Sequence, residues 1–157
     1  MFRIQQTTEQ FLTKLGEPGK FIKTRQEFGY LCFLYGFAKN VSVDPEDAVG
    51  DKETSDVYVE QIRPLKNLIA GMIGLSRLHR ANLNLEDENI LMREFMSLLD
   101  SDSSLRINGE GVKEINRITY AGYEKLKEDL GQFPDTPAFF IKRYVSLIRS
   151  AFEEHWS

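Results

Sequence analysis

Apolar residues recur every three or four positions in six stretches of the chain, a spacing typical of helices that bury one face. These stretches predict helices at about 7–15, 25–39, 63–80, 86–100, 109–130 and 137–154. The alternation typical of strands is almost absent. The pattern therefore predicts an all-α fold: a compact bundle of about six helices, forming a single domain over residues 1–157, with one long loop at 41–60.

Polar residues at the starts of three stretches indicate helix boundaries. Thr24 and Glu27 match a capping box, in which each side chain accepts a hydrogen bond from the backbone N–H of the other residue. Asn108 and Thr136 are residue types favoured at N-caps, and Pro137 suits a first helical turn. We therefore expect helices to begin directly after Thr24, Asn108 and Thr136.

The helix predicted at 25–39 is apolar on nearly every side. One face carries Phe28, Leu31, Tyr35 and Ala38. Much of the remaining surface is covered by Tyr30, Phe33, Leu34 and Phe37. Such a helix either lies at the centre of the core or buries its second face against a partner. The second set of residues is therefore our candidate partner-binding surface.

Two other helices have apolar stripes that predict how they pack. The stripe of the helix at 63–80 includes Leu68 and is interrupted by Gly71 and Gly74, each of which costs about 1 kcal/mol of helix stability relative to Ala. We expect close contact with a neighbouring helix to compensate for these glycines. The stripe of the last helix consists of Ile141, Val145, Ile148 and Phe152.

The charge along the chain is strongly segregated. The 157 residues have a formal net charge of −4, yet residues 41–60 carry seven acids and one lysine, a net −6. Residues 61–80 carry four cations and no acid, residues 81–104 sum to −5, and residues 1–40 sum to +3. Because the local potential governs contact, the acidic total does not exclude a polyanionic partner. Solvated faces on opposite sides of a bundle explain the same charge blocks.

Composition and motifs exclude several functional classes. Cys32 is the only cysteine, which excludes an internal disulfide framework and a cysteine-based zinc site, and its apolar neighbours predict a buried, unreactive thiol. No apolar run approaches the roughly 20 residues of a membrane helix, and the start lacks a secretory signal, so we expect a cytoplasmic protein. Zinc-hydrolase, nucleophile-elbow, dinucleotide-binding and Walker A motifs are absent. We therefore expect no metal, cofactor, small-molecule substrate or catalytic residue.

Two basic groups are candidates for contact with a nucleic-acid backbone. The first surrounds the start of the helix at 25–39, and the second lies on the last helix. Lysine and arginine at such positions neutralise phosphates without selecting a sequence, although ordinary solvation also explains them. The candidate residues are Lys20, Lys23, Arg25, Lys142, Arg143 and Arg149.

Two segments resemble a known protein family. Residues 21–37 contain an aromatic residue, the pair Lys23-Thr24, a few polar residues, an apolar helix and the ending Gly36-Phe37. Residues 116–130 contain an aromatic residue followed by small residues and a helical stretch. Both are similar to segments of small accessory proteins associated with DNA phosphorothioate-modification (DNA sulfur modification) defence systems. The resemblance implies a prokaryotic defence accessory protein and implies no catalytic residue.

These observations lead to three hypotheses. The first is a non-catalytic helical subunit or accessory protein of a prokaryotic genome-defence or DNA-processing assembly, which acts by binding a protein partner or a second copy of itself. The second is a protein that binds the DNA backbone without sequence preference. The third is an enzyme whose active site is completed by a partner chain.

Overall fold

The fold is built from α-helices, and the all-α prediction is confirmed. The computed structural model describes Thr13, Leu15 and residues 21–44, 57–84, 86–132 and 136–156, together with the backbone of 3–4 and 52–53. Within these ranges the helices are α1 (Arg25–Ala38), α2 (Lys66–Arg80), α3 (Glu88–Met96), α4 (Gly109–Leu130) and α5 (Pro137–His155). A short 3-10 turn, Arg63–Leu65, leads into α2. No helix in these ranges is long and apolar enough to cross a membrane.

Two parts of the predicted architecture lie largely outside the described residues. Of the helix predicted at 7–15, only Thr13 and Leu15 are described, and both are helical. Of the loop at 41–60, residues 45–51 and 54–56 are outside the description. The strands β1 (Arg3–Ile4) and β2 (Lys52–Glu53) form a two-residue antiparallel pair, which is too short to change the fold class.

The three helix starts predicted from capping residues are confirmed. The backbone N–H of Thr24 donates to Glu27 Oε2 at 2.8 Å, and that of Glu27 donates to Thr24 Oγ1 at 3.1 Å. The Asn108 side chain caps α4, and Thr136 Oγ1 accepts from the N–H of Phe139 at 3.3 Å. These local hydrogen bonds satisfy donors that a helix leaves unpaired, so neighbouring sequence is sufficient to place them.

Helix α1 lies at the centre of the core. Phe33 and Phe37 belong to one apolar cluster, shared with residues of α2 and α4. Phe28, Cys32 and Tyr35 belong to a second cluster, shared with residues of α4 and α5. The chain itself therefore covers both faces of this helix, which is the first of the two arrangements that its all-round apolar surface allows.

Helix α3 is shorter than predicted. The pattern over 86–100 indicates helix up to residue 100, but α3 ends at Met96. The chain then reverses, because Leu99 pairs with Ile107 in an isolated bridge and Asn108 Nδ2 donates to the carbonyl of Ser97 at 2.8 Å. Leu98 is fully buried in the turn rather than in a helix. Apolar spacing alone does not distinguish these two arrangements.

The buried face of α5 differs from the predicted one. Phe140, Tyr144 and Ala151 are buried, whereas Val145 is 46% exposed and Phe152 is 37% exposed. The Tyr144 hydroxyl donates to the carbonyl of Leu31 at 2.7 Å, and this contact with α1 sets the rotation of α5 about its axis. The predicted placement of Val145 and Phe152 on the buried face is therefore wrong. Leu68 of α2 was likewise expected in the core and is exposed.

Candidate functional site

An apolar groove of about 740 Å³ lies beside α2. Helix α2 forms its floor, α3 forms one wall, and the turn between α3 and α4 forms the other. Its lining residues are Asn67, Ala70, Gly71, Phe95, Met96, Leu99, Asp100, Ser101, Arg106 and Asn108. Clefts of this volume with mainly apolar walls are the usual form of a binding site.

Two glycines of α2 determine where the groove opens. A Cβ added to Gly74 would lie 2.5–2.8 Å from ring atoms of Phe95, so this glycine lets α3 approach α2 closely. A Cβ added to Gly71 would meet no atom within 4 Å, because Gly71 faces the groove. The expectation that both glycines compensate through close helix contact is therefore confirmed for Gly74 and wrong for Gly71.

The polar groups at the rim of the groove are largely engaged in their own turn. Asp100 Oδ1 accepts from the backbone N–H groups of Asp102 at 2.9 Å and Ser103 at 3.3 Å. Arg106 Nη1 donates to the carbonyl of Ser101 at 2.5 Å. The φ angle of Arg106 is +63°, which is rare for a residue with a side chain. These hydrogen bonds fix the conformation of the turn at the rim. The described residues that line the groove include no histidine or cysteine.

An exposed methionine pair continues the apolar surface beyond the groove. Met92 and Met96 are four residues apart on α3 and therefore share a face. Their side chains are 65% and 64% exposed. Methionine side chains are flexible and polarisable, which suits them to contact with a partner surface of variable shape.

The predicted basic residues are exposed and separate into distinct environments. Lys23 and Arg25 are exposed at the start of α1, and Lys142 and Arg149 are exposed on α5. Lys20 lies outside the described residues. The Arg143 guanidinium points to the end of α4, where Nη2 lies 3.5 Å from the carbonyl oxygen of Asp129. Contact of these cations with a nucleic-acid backbone stays a prediction.

The outer face of α5 combines basic and apolar residues. Phe139, Lys142, Val145, Arg149 and Phe152 are three or four positions apart and therefore lie on one side of the helix. Phe139 is 60% exposed. Lys142 and Arg149 form no ion pair with a described residue. The sequence pattern identified the two cations but not the exposure of the apolar residues beside them, because helical spacing alone does not show which side of a helix is buried.

The four candidate partner-binding residues of α1 have different accessibilities. Phe33 and Phe37 are buried inside the chain's own core. Tyr30 and Leu34 are half-buried, and Tyr30 lines a small cavity of about 190 Å³ beside the exposed ring of Phe21. Of the four residues, only Tyr30 and Leu34 have surface that a partner can reach, and their contact with a partner stays a prediction.

The buried ionisable residues Glu114 and Cys32 have surroundings that indicate a structural role. Glu114 is buried and receives hydrogen bonds from Arg80 Nη2 and Arg117 Nη1, both at 2.5 Å. Cys32 is buried as expected, and burial raises the pKa of its thiol, so the reactive thiolate is disfavoured. Among the residues that the structure describes, no three histidine, cysteine, aspartate or glutamate side chains form a group that could hold a metal.

No protein-family model, curated protein or solved structure matches this chain. The resemblance to accessory proteins of DNA phosphorothioate-modification systems therefore stays a prediction. The two segments that carry the resemblance, residues 21–37 and 116–130, are in direct contact, since α1 and α4 cross at Gly36 and Gly122.

Proposed function

We propose that this protein is a non-catalytic helical subunit that acts by binding an amphipathic helix of a protein partner in the groove between α2 and α3. The observation that carries the proposal is the groove itself, with its floor of Ala70 and Gly71 and its volume of about 740 Å³. An apolar groove with residues as small as alanine and glycine on its floor accepts the apolar face of a helix.

The residues at the rim of the groove favour a protein as the ligand rather than a small molecule. Met96 lines the cavity, and Met92, one turn away on α3, extends the apolar surface outside it, where an enclosed ligand would not reach. Arg106 stands at the opposite rim and offers a positive charge to an acidic residue flanking the partner's apolar face. A helix placed across the groove contacts both features at once.

The resemblance of residues 21–37 and 116–130 supports a narrower form of this proposal. In that form the partner belongs to a prokaryotic genome-defence or DNA-processing assembly, and this chain is its accessory subunit. The half-exposed surface around Tyr30 and Leu34 provides a second contact for the same assembly or for another copy of the chain.

The proposal is tested by filling the groove. Gly71→Phe places a ring in open space and blocks the groove, whereas Gly71→Ala keeps it open and favours the helix. Affinity purification of the tagged protein from its native host is expected to recover a partner with wild type and Gly71→Ala but not with Gly71→Phe. Recovery of the same partner by a folded Gly71→Phe variant, checked by circular dichroism, would disprove the groove as its binding site.

The outer face of α5 supports a second candidate function, binding of the DNA backbone without sequence preference. Lys142 and Arg149 supply positive charge, and the exposed rings of Phe139 and Phe152 suit stacking with unpaired bases. Single-stranded DNA is therefore expected to bind more tightly than duplex DNA.

Salt dependence tests this second candidate. The affinity for a random single-stranded oligonucleotide, measured by fluorescence anisotropy, is expected to fall steeply between about 50 and 200 mM salt. The double variant Lys142→Gln/Arg149→Gln should bind more weakly and with a shallower salt dependence. Lys113→Gln/Lys125→Gln removes two cations from α4 that are already paired with glutamates, and serves as the control. Absence of binding at low salt would exclude this function.

A further inference from the structure

Helix α5 packs on α1 by one side and leaves an amphipathic side exposed. The buried Tyr144 marks the packed side, where its hydroxyl donates to the carbonyl of Leu31 at 2.7 Å. Val145 and Phe152 are seven residues apart on the outer face, and they are 46% and 37% exposed. Residues 137–152 carry three cations and no acid. The outer face of α5 is therefore basic and apolar, and a helix with such a face is a ligand that apolar grooves accept.

The α3 side of the groove carries charge of the opposite sign. Glu88, Met92 and Met96 are four residues apart and share one side of α3, and Asp100 follows at the rim of the groove. Both acids are exposed, and neither has an ion pair with a residue that the structure describes. Residues 86–106 carry six acids and two arginines. The two methionines are therefore flanked by negative charge, whereas the apolar residues of α5 lie beside positive charge.

We propose that the groove binds the outer face of α5 from a second copy of this chain. This inference rests on the function proposed for the groove and names its occupant. Val145 and Phe152 of one copy pack into the space beside Gly71 of the next copy. The two cations of the outer face then lie near the two acids that flank the methionines, and this complementarity fixes the orientation of the helix.

The proposed contact is head-to-tail, because it joins two different surfaces of the chain. A copy whose α5 fills a neighbouring groove still has its own groove open. Association therefore continues beyond the dimer until a ring closes, whereas a contact between identical faces stops at two copies. A second copy on the outer face of α5 also excludes DNA from that face, so self-association and DNA binding are alternatives there.

Sedimentation velocity at increasing protein concentration tests the contact. Wild type is expected to form species larger than a dimer, with association that weakens as salt rises. Gly71→Phe blocks the groove and Lys142→Glu/Arg149→Glu reverses the charge of α5, so each should lower the association constant at least about tenfold. Circular dichroism checks that each variant is folded. A monomeric wild type at every concentration would overturn the proposal.

Two control variants match these changes. Gly71→Ala alters the same position but keeps the groove open. Lys125→Glu/Lys127→Glu changes the net charge as much as the α5 variant does, on exposed residues near the end of α4. Both controls should associate as wild type does. Equal loss of association in the α4 control would show that net charge acts rather than the face of α5, and would overturn the proposal.

Mixing the two defective variants separates this contact from other modes of self-association. Gly71→Phe keeps an intact α5, and Lys142→Glu/Arg149→Glu keeps an intact groove. An equimolar mixture should therefore form one-to-one dimers that grow no further, although each variant alone is monomeric. A mixture that stays monomeric would overturn the head-to-tail contact. If Gly71→Phe also loses a different protein recovered from the host, that protein is the occupant, and the function proposed for the groove stands without this inference.

Discussion

Gly36 of α1 and Gly122 of α4 lie against each other, and no side chain separates the two backbones. A Cβ added to Gly122 would lie 2.6 Å from the backbone N of Gly36 and would overlap the carbonyl oxygen of Cys32. A Cβ added to Gly36 would lie 3.1 Å from the Cα of Gly122 and would overlap the carbonyl oxygen of Ile118. The central position of α1 depends on this crossing, because a wider separation would open both apolar clusters.

Gly122→Ala is therefore expected to destabilise the protein by about 1–3 kcal/mol, a typical cost of overpacking a core. The new methyl group meets backbone atoms, which cannot move aside as a flexible side chain can. Urea unfolding followed by circular dichroism measures the change. Gly71→Ala is the matched control, because its methyl group meets no atom and should stabilise α2 by up to about 1 kcal/mol. Equal urea midpoints for Gly122→Ala and wild type would show that the helices separate without cost.

Features that depend only on neighbouring residues could be predicted from the sequence. The starts of α1, α4 and α5 follow from Thr24, Asn108 and Thr136, each of which acts on donors within three residues of itself. The all-round apolar surface of α1 allowed two arrangements, a central position in the core or burial of one face against a partner, and α1 has the first.

Features that depend on distant residues were not predictable in the same way. The rotation of α5 is set by the hydrogen bond between Tyr144 and Leu31, which are 113 residues apart. The groove is formed where α3 stops, and that end is fixed by contact with Ile107 and Asn108. The open space beside Gly71 has no sequence signal, because it arises from the placement of α3 and of the turn that follows it.

Removing the negative charge of the buried Glu114 carboxylate is expected to destabilise the protein strongly. Glu114→Gln leaves Arg80 and Arg117 without a counter-charge in a partly buried position, which typically costs about 3–5 kcal/mol. Urea unfolding gives this value directly. Glu110→Gln, one turn earlier on α4, removes an exposed pair with Lys113 and should cost at most about 1 kcal/mol. Similar effects of the two substitutions would mean that water screens Glu114 as fully as it screens Glu110.

Buried tyrosines are expected to make the fold sensitive to alkaline pH. Burial raises the pKa of Tyr144 well above its usual 10.0, and burial together with the hydrogen bond to Asp129 raises the pKa of Tyr35. Below about pH 10 each hydroxyl is protonated in both folded and unfolded chains, so the full stability is present. Above that pH only the unfolded chain releases the proton, and stability falls by up to about 1.4 kcal/mol per pH unit for each such tyrosine.

Thermal unfolding at pH 8, 10 and 11 tests this alkaline loss. Tyr144→Phe removes the hydrogen bond to Leu31 and should cost about 1 kcal/mol at pH 8. Between pH 10 and 11 the same variant should lose less stability than wild type, because one ionisable group is gone. Tyr120→Phe on α4 alters a half-buried ring and is the control. Parallel pH profiles for wild type and Tyr144→Phe would contradict the assigned role of Tyr144.

Trp156 is expected to report on the docking of the end of α5 onto α1. Its indole Nε1 donates to the carbonyls of Phe37 at 3.0 Å and Ala38 at 3.1 Å, and its ring stacks on Phe37 with centroids 4.5 Å apart. The last carbonyls of a helix have no partner within the helix, so this side chain satisfies two acceptors at the end of α1. Trp156→Phe keeps an aromatic ring and loses the donor, and should cost about 1 kcal/mol in urea unfolding.

Because Trp156 is the only tryptophan, the wild-type protein carries its own probe of this contact. Tryptophan fluorescence and helical circular dichroism should change at the same urea concentration, since Trp156 is packed on the central helix and cannot separate from it without opening the first apolar cluster. His155→Gln changes the preceding residue without removing the indole donor, and should leave the midpoint close to that of wild type. A fluorescence transition that precedes the loss of helix would show that the end of α5 detaches as an independent unit, and that α1 keeps its position without it.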